Sequence, residues 1–421
     1  MSINIWHPFT QHGLGEPIPE IARAEGAALY QANGTKIIDA ISSWWVQTHG
    51  HCHPRIVSAI QEQSARLDQM IFAGWTHEPA RQLAVGLSDF LPDSLDHIFF
   101  SDSGSTAVEV ALKMALGYWH NRGEPRQKIL VMEHSYHGDT IGAMSVGARG
   151  VFNQAYAPLL FDVDTIAFPE AGAEQATLDQ LEVLCKDSES PPAALIVEPL
   201  ILGAGGMKIY SPEVLARMAA ICRAHDVLFI ADEVMTGWGR TGTIFACEQA
   251  GVEPDILCMA KGLTGGVIPL AVTAATDPVF QAHYSDDRAQ MFFHSSSFTA
   301  NPIACAAANA NLAIWRDEPV QERIDSIIAS HRAFAKRLAQ KTNVSGLRQC
   351  GTILAFEIDD GAGNYMSSLG PQLLAFFRDR NILLRPLGNT VYIMTPYCIR
   401  REELDSVYAV IDEAIDHFGG S

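Results

Sequence analysis

Two residues at the ends of apolar runs carry the chemistry of this sequence. Asp232 ends the run 227–231 (VLFIA), and Lys261 ends the run 256–260 (ILCMA). A short apolar run bounded by turn residues reads as a buried strand, most simply in a parallel sheet. Open α/β sheets bind ligands at the carboxyl ends of their strands, so an acid and a lysine placed there face one crevice. Pyridoxal phosphate needs that pair. A lysine holds its aldehyde as an imine, and a carboxylate keeps the pyridine nitrogen protonated so that the ring can accept electrons. The lysine must lose its proton to attack, and burial lowers its pKa. A strand-end aspartate can also cap a helix and a strand-end lysine can simply be solvated; these two residues alone leave those readings open.

The surrounding elements must position that pair. A short strand at 97–100 runs into the polar loop Ser101-Asp102-Ser103-Gly104-Ser105-Thr106, and apolar residues at 108, 111, 112, 115 and 119 predict a helix over 107–119. Thr106 with Glu109 reads as a capping box, which puts a helix N-terminus at the loop, either a ready anion site or a capped helix and nothing more. A strand at 128–131 is followed by His134-Ser135-Tyr136-His137-Gly138-Asp139, where Tyr136 could stack on a flat ring or simply pack. The strand 193–197 stops at Glu198, and Ser211-Pro212-Glu213 opens the helix that leads back to the 227–231 strand. Repeated strand–helix–strand units predict an α/β fold, a doubly wound and mainly parallel sheet in a large domain.

The flanks read differently. Runs 28–31 and 36–41 around Asn33-Gly34 predict a hairpin; Trp44 and Trp45 follow, as pocket wall or core. Residues 56–90 read as helical. Beyond 316 the pattern alternates: helix 320–341, strand 351–358, helix 371–380, strands 382–386 and 391–394, and a last helix. The expected organisation is an N-terminal part of a small α+β domain with a substrate wall (1–55), a large cofactor domain (56–315) and the C-terminal remainder of the small domain (316–421), so that both termini build the small domain.

Composition narrows the function. The 421 residues carry a net charge of −19, with 48% hydrophobic and 18% charged residues. That acidity argues against nucleic acid or an anionic membrane as partner. No apolar run reaches membrane-spanning length, and the start, MSINIWHPFTQ, lacks the basic-then-apolar pattern of a secretion signal. Eight cysteines are scattered without a C-x-x-C pair, which fits a reducing cytoplasm. His49, His51, Cys52 and His53 match no standard metal spacing, so no metal is expected. Gly237-Trp-Gly239-Arg-Thr-Gly242 satisfies G-x-G-x-x-G, but it starts five residues after the strand, and the 243–246 stretch after it looks extended instead of helical. A dinucleotide site needs the opposite.

Taken together, SDSGSTAVEVALKMA (101–115), HSYHGDT (134–140), IVEP (196–199), IADEVMTGWGRTG (230–242), CMAKGLTGG (258–266) and FTANP (298–302) resemble the class III (ω-) aminotransferases of PLP fold type I, nearly end to end. IWHPFTQ (5–11), SSWW (42–45) and ILLRPLGNTVYIMTPY (382–397) narrow the likeness to the branch that aminates 8-amino-7-oxononanoate in biotin biosynthesis, with S-adenosylmethionine as usual donor. The alternatives are lysine as donor, or an ω-amine or diamine transaminase of the same class. The resemblance implies pyridoxal phosphate bound by Lys261, paired at its nitrogen with Asp232 and stacked on Tyr136. Gly104 and Ser105 would hold its phosphate, and Ser296 and Ser297 would reach the phosphate of a partner subunit, making a homodimer. Phe9, Trp44, Trp45, Tyr136, Ser295, Arg385 and Tyr392 would line the substrate site; a guanidinium at Arg385 suits a carboxylate. The chain departs from the family pattern twice. Phe9 stands where tyrosine is usual, which removes a hydroxyl near the substrate, and Ser295-Ser296-Ser297 replaces Gly-Pro-Thr while keeping a hydroxyl at 297.

Overall fold

The computed structural model describes residues 5–358 and 369–419. Its centre is a seven-stranded sheet. Across the sheet the order runs His97–Ser101, Ala271–Ala275, Ile256–Met259, Leu228–Asp232, Pro192–Val197, Lys128–Met132 and Asp164–Ile166. Five neighbouring strands are parallel, and Ala271–Ala275 runs antiparallel between His97–Ser101 and Ile256–Met259. All six residues of Pro192–Val197 and all five of Leu228–Asp232 are buried. Helices therefore cover both faces, which is why these strands read as unbroken apolar runs without alternation. Each fully buried aliphatic side chain in such a layer contributes about 1.5–3 kcal/mol.

The termini meet in a second sheet. The hairpin Ala28–Tyr30 and Lys36–Asp39 pairs, through Ile38, with Ile382 of the short strand Ile382–Leu383. A three-stranded antiparallel sheet of Val344–Cys350, Ile353–Ile358 and Thr390–Ile393 lies beside it, covered by Val320–Leu338 and Arg401–Phe418. The architecture is thus an α/β fold with a smaller α+β part drawn from both chain ends. Among the described residues, no helix is long and apolar enough to cross a membrane.

Several local expectations change. The 56–90 stretch is two helices, Pro54–Ser64 and Glu78–Leu87, with an irregular link between them. The helix expected at 107 begins at Gly104. Its cap is Ser103, whose Oγ accepts the Thr106 N–H, while Thr106 Oγ1 accepts the Ser103 N–H. Glu109 instead accepts the N–H groups of Gly142 (2.8 Å) and Ala143 (3.2 Å), tying this helix to the next one. The 243–246 stretch is a turn leading into the short helix Cys247–Ala250 rather than an extended segment.

One buried histidine gives the small domain a pH dependence. His331 Nε2 donates to Thr352 O (3.1 Å), so Nδ1 must accept from Tyr408 Oη (2.7 Å), and the ring is neutral. Burial lowers its pKa to about 4 from 6.5. The unfolded chain binds this proton first, so the contribution is complete above pH 6.5 and is lost as pH falls towards 4. The shift is worth about 3 kcal/mol. His331→Gln should flatten that part of the urea-midpoint difference between pH 7.5 and pH 5.

Candidate active site

Register brings the two strand-end residues together. Asp232 pairs with Cys258 across parallel strands, and Lys261 follows two residues after that neighbouring strand ends. Both side chains line one cavity of about 360 Å³, with Trp45, Gly104, Ser105, Tyr136, His137 and Glu198. Lys261 sits half-buried in its wall at φ +45°, a left-handed conformation that costs a non-glycine residue about 1–2 kcal/mol. Its Nζ lies 5.3 Å from the Trp45 ring centroid. Burial lowers the lysine pKa, opposed by the charges of Asp232 and Glu198.

The buried Asp232 carboxylate is fixed by its neighbours. Oδ2 accepts from His137 Nδ1 at 2.7 Å and Oδ1 from the Val234 N–H at 3.1 Å. His137 Nε2 is buried without a partner among the described residues. Glu198 is buried and accepts the Tyr136 N–H and the Gly203 N–H, each at 2.9 Å. Burial raises its pKa to about 7, helped by Asp232 and opposed by His137. Sequence reasoning assigned neither His137 nor Glu198 to the site. The rule that found Asp232, an acid closing an apolar run, also marks Glu198.

The helix N-terminus opens onto the same cavity. The cap occupies the Ser103 and Thr106 N–H groups, whereas those of Gly104 and Ser105 find no partner among the described residues. A Cβ on Gly104 would sit 2.5 Å from Val234 Cγ1, so only glycine lets the helix approach the Asp232 loop. Two free amides on the positive end of a helix suit a phosphate. A cavity of this volume, a lysine with a lowered pKa, an anchored acid and an open helix N-terminus together fit pyridoxal phosphate.

The remaining sequence candidates divide into two groups. A larger cavity of about 1430 Å³ shares Trp45, Tyr136 and Lys261 with the first and adds Phe9, Trp44, Arg385 and Tyr392. Trp45 is buried and donates from Nε1 to Tyr392 Oη at 2.9 Å. Trp44 is 42% exposed, meets Phe9 edge to face at 5.6 Å and lies 5.5 Å below the Arg385 guanidinium. The SSWW pair thus divides into one buried and one exposed wall residue. Arg385 donates to Phe9 O at 3.4 Å and has no carboxylate partner among the described residues. Ser295, Ser296 and Ser297 line neither cavity of their own chain. Ser296 Oγ donates to Asp102 Oδ2 at 2.6 Å on the rim.

The glycine fingerprint at 237–242 builds no dinucleotide site. Arg240 is buried, donating to Thr395 O (3.0 Å) and Gln47 O (2.8 Å), and so ties three chain segments together behind Lys261. The histidines at 49, 51 and 53 take separate partners: Asn311, Asp39 and Glu318.

The comparisons with known proteins agree with this geometry. Residues 11–415 match the family model described as Aminotransferase class-III. The chain is 44% identical over 419 residues to the adenosylmethionine-8-amino-7-oxononanoate aminotransferase of Synechococcus elongatus, covering 98% of both chains. It is 35% identical to the enzyme of that name from Geobacter sulfurreducens, covering 98% of this chain and 95% of the relative. Among solved structures, the adenosylmethionine-8-amino-7-oxononanoate aminotransferase of Methanocaldococcus jannaschii superposes with a TM-score of 0.93 at 33% identity, covering 98% of this chain and 97% of the other. A PLP-bound amine transaminase from an uncultivated Pseudomonas species reaches 0.93 at 29% identity, covering 100% of both.

Proposed function

The chain belongs to the class-III aminotransferases, and from that premise we propose that it transfers an amino group from S-adenosylmethionine to 8-amino-7-oxononanoate, giving 7,8-diaminononanoate in biotin biosynthesis. The names of the relatives at 35–44% identity over nearly the whole chain support the substrate pair. The single structural observation that carries the reading is the Asp232–Lys261 pair in one cavity beside an open helix N-terminus. The amine-transaminase reading rests on a neighbour at lower identity.

Bound pyridoxal phosphate supplies an aldehyde carbon that carries the amino group between substrates and a ring that accepts electrons. Gly104 and Ser105 would hold the phosphate with their N–H groups. Asp232, braced by His137, would keep a proton on the ring nitrogen, and Tyr136 would pack against the ring. Lys261 Nζ would hold the group at its aldehyde carbon when no substrate is present. Once displaced by a substrate nitrogen, the free Nζ would take the proton from the donor carbon that bears nitrogen and, in the other half-reaction, give one to the acceptor carbon; its lowered pKa suits that task. Arg385 takes the substrate carboxylate, while Phe9, Trp44, Trp45 and Tyr392 enclose the aliphatic chain; donor and acceptor each carry a carboxylate and bind there in turn. Ser295, Ser296 and Ser297 serve the site of a second copy in a homodimer, which accords with their place outside both cavities of their own chain. The enzyme works in the cytoplasm, in keeping with its eight free cysteines.

Two measurements test this. S-adenosylmethionine should bleach the visible band of the loaded protein and lysine should not, after which 8-amino-7-oxononanoate should restore it. Bleaching by lysine alone would reassign the donor, and no recovery with the oxo acid would remove the proposed acceptor. Arg385→Ala should raise KM for both substrates about 10- to 100-fold, the worth of a hydrogen-bonded charge pair, with a smaller change in kcat. An unchanged KM would move the carboxylate elsewhere.

A further inference from the structure

The turn that bears Lys261 is held from behind by a side chain that no functional reading assigns. Asn311 lies on the helix Pro302–Asp317, fully buried. Its Nδ2 donates to Gly262 O at 3.1 Å and to Leu263 O at 3.0 Å, the two carbonyls that follow Lys261. With both N–H bonds committed, its Oδ1 must accept, and the partner at 2.8 Å is His49 Nε2. His49 therefore carries its proton on Nε2. The ring is buried among Trp315, Tyr397 and His53, and burial lowers its pKa to about 3, so it stays a neutral donor. Gly262 also packs against Trp238, where a Cβ would meet Trp238 Cβ at 2.6 Å, so the turn is clamped on a second side.

We propose that Asn311, oriented by His49, is a positioning residue for Lys261: it holds the 261–264 turn so that the lysine keeps its left-handed backbone and its Nζ stays in the cavity. The proposal rests on the reading of Lys261 as the residue that binds the cofactor. Lys261 is a non-glycine residue in a conformation that its own sequence does not favour, and such conformations persist only where the surroundings over-determine them. Two donated bonds to the next two carbonyls are such a constraint. A shift of about 1 Å at a reacting atom can cost up to 100-fold in rate.

The test uses the full-length protein loaded with pyridoxal phosphate. Asn311→Leu keeps the volume and removes both donors; Asn311→Ser leaves one and serves if the leucine variant does not fold. His49→Gln keeps an N–H for Asn311, and His49→Phe removes it. For the folded variants one measures kcat, KM for each substrate, the melting temperature, and the pH midpoint of the visible band of the lysine-bound cofactor. The expected result is a displaced pH midpoint and a kcat lower by about 10- to 100-fold in Asn311→Leu, with KM within about twofold. Asn311→Ser should be intermediate, and His49→Gln should stand near wild type while His49→Phe falls with Asn311→Leu. A lower melting temperature with unchanged pH midpoint and kcat would overturn the proposal and leave Asn311 structural only. So would equal behaviour of the two His49 variants. If the wild-type protein itself develops no visible band with pyridoxal phosphate, the cofactor reading fails first, and that outcome is seen before any variant is made.

Discussion

Lys261→Ala should leave a folded protein that binds pyridoxal phosphate without the visible band of the lysine adduct and turns over at least about 10⁴-fold more slowly. The substitution removes two functions at once. The amine that takes the aldehyde carbon is lost, and so is the base that moves the substrate proton, a role alone worth about 10²–10⁴-fold. The fold should survive because no hydrogen bond from Nζ appears among the described residues, and the turn behind the lysine is held through the backbone by Asn311. Absorbance at neutral pH and single-turnover kinetics check it. A small external amine should restore part of the proton transfer, because the cavity left by the side chain opens towards the larger one. Retention of both the band and wild-type turnover would place the chemistry on another residue.

The pair at the heart of that prediction was legible in the sequence for a physical reason. A strand buried on both faces must be apolar throughout, so its last residue is where polarity can return, and Asp232 and Lys261 stand at that step. The same step exposes Glu198. Direction is not written in such runs. Ala271–Ala275 is buried throughout like Ile256–Met259 yet runs antiparallel, since a strand buried on both sides carries no alternation from which pairing can be inferred. The helix start was misplaced for a different reason. Ser103 and Thr106 both satisfy the chemistry of a cap, and Glu109 stands three residues after Thr106; only the bond from Gly142 shows where that acid is committed. Partners far apart in sequence were beyond reach. His137 meets Asp232 across 95 residues and His49 meets Asn311 across 262. Trp44 and Trp45 are adjacent and identical in type, yet a backbone with positive φ at Ser42, Ser43 and Trp45 leaves one buried and the other exposed in the cavity wall.

The second large effect belongs to Asp232, and its size follows from what the carboxylate is anchored to. Asp232→Asn preserves shape and should preserve the bond from Val234, but it removes the charge that favours a protonated pyridine nitrogen and obliges His137 to face a neutral amide. Fixed charge aimed at a developing charge in an enclosed site is worth about 10²–10³-fold in rate per group. We therefore expect kcat in each half-reaction to fall by about that factor, with KM for either substrate within a few-fold, since Asp232 touches neither the helix N-terminus nor Arg385. Asp232→Ala should fall further, because it also strips His137 of the partner of its Nδ1–H, while its Nε2 is already buried without one among the described residues. A cofactor analogue methylated at the ring nitrogen carries its positive charge permanently and needs no acid, so it should recover part of the rate in Asp232→Ala and none in Lys261→Ala. No recovery in Asp232→Ala would mean that Asp232 acts by shaping the pocket and not through its charge, which stopped-flow rates for the two half-reactions would show directly.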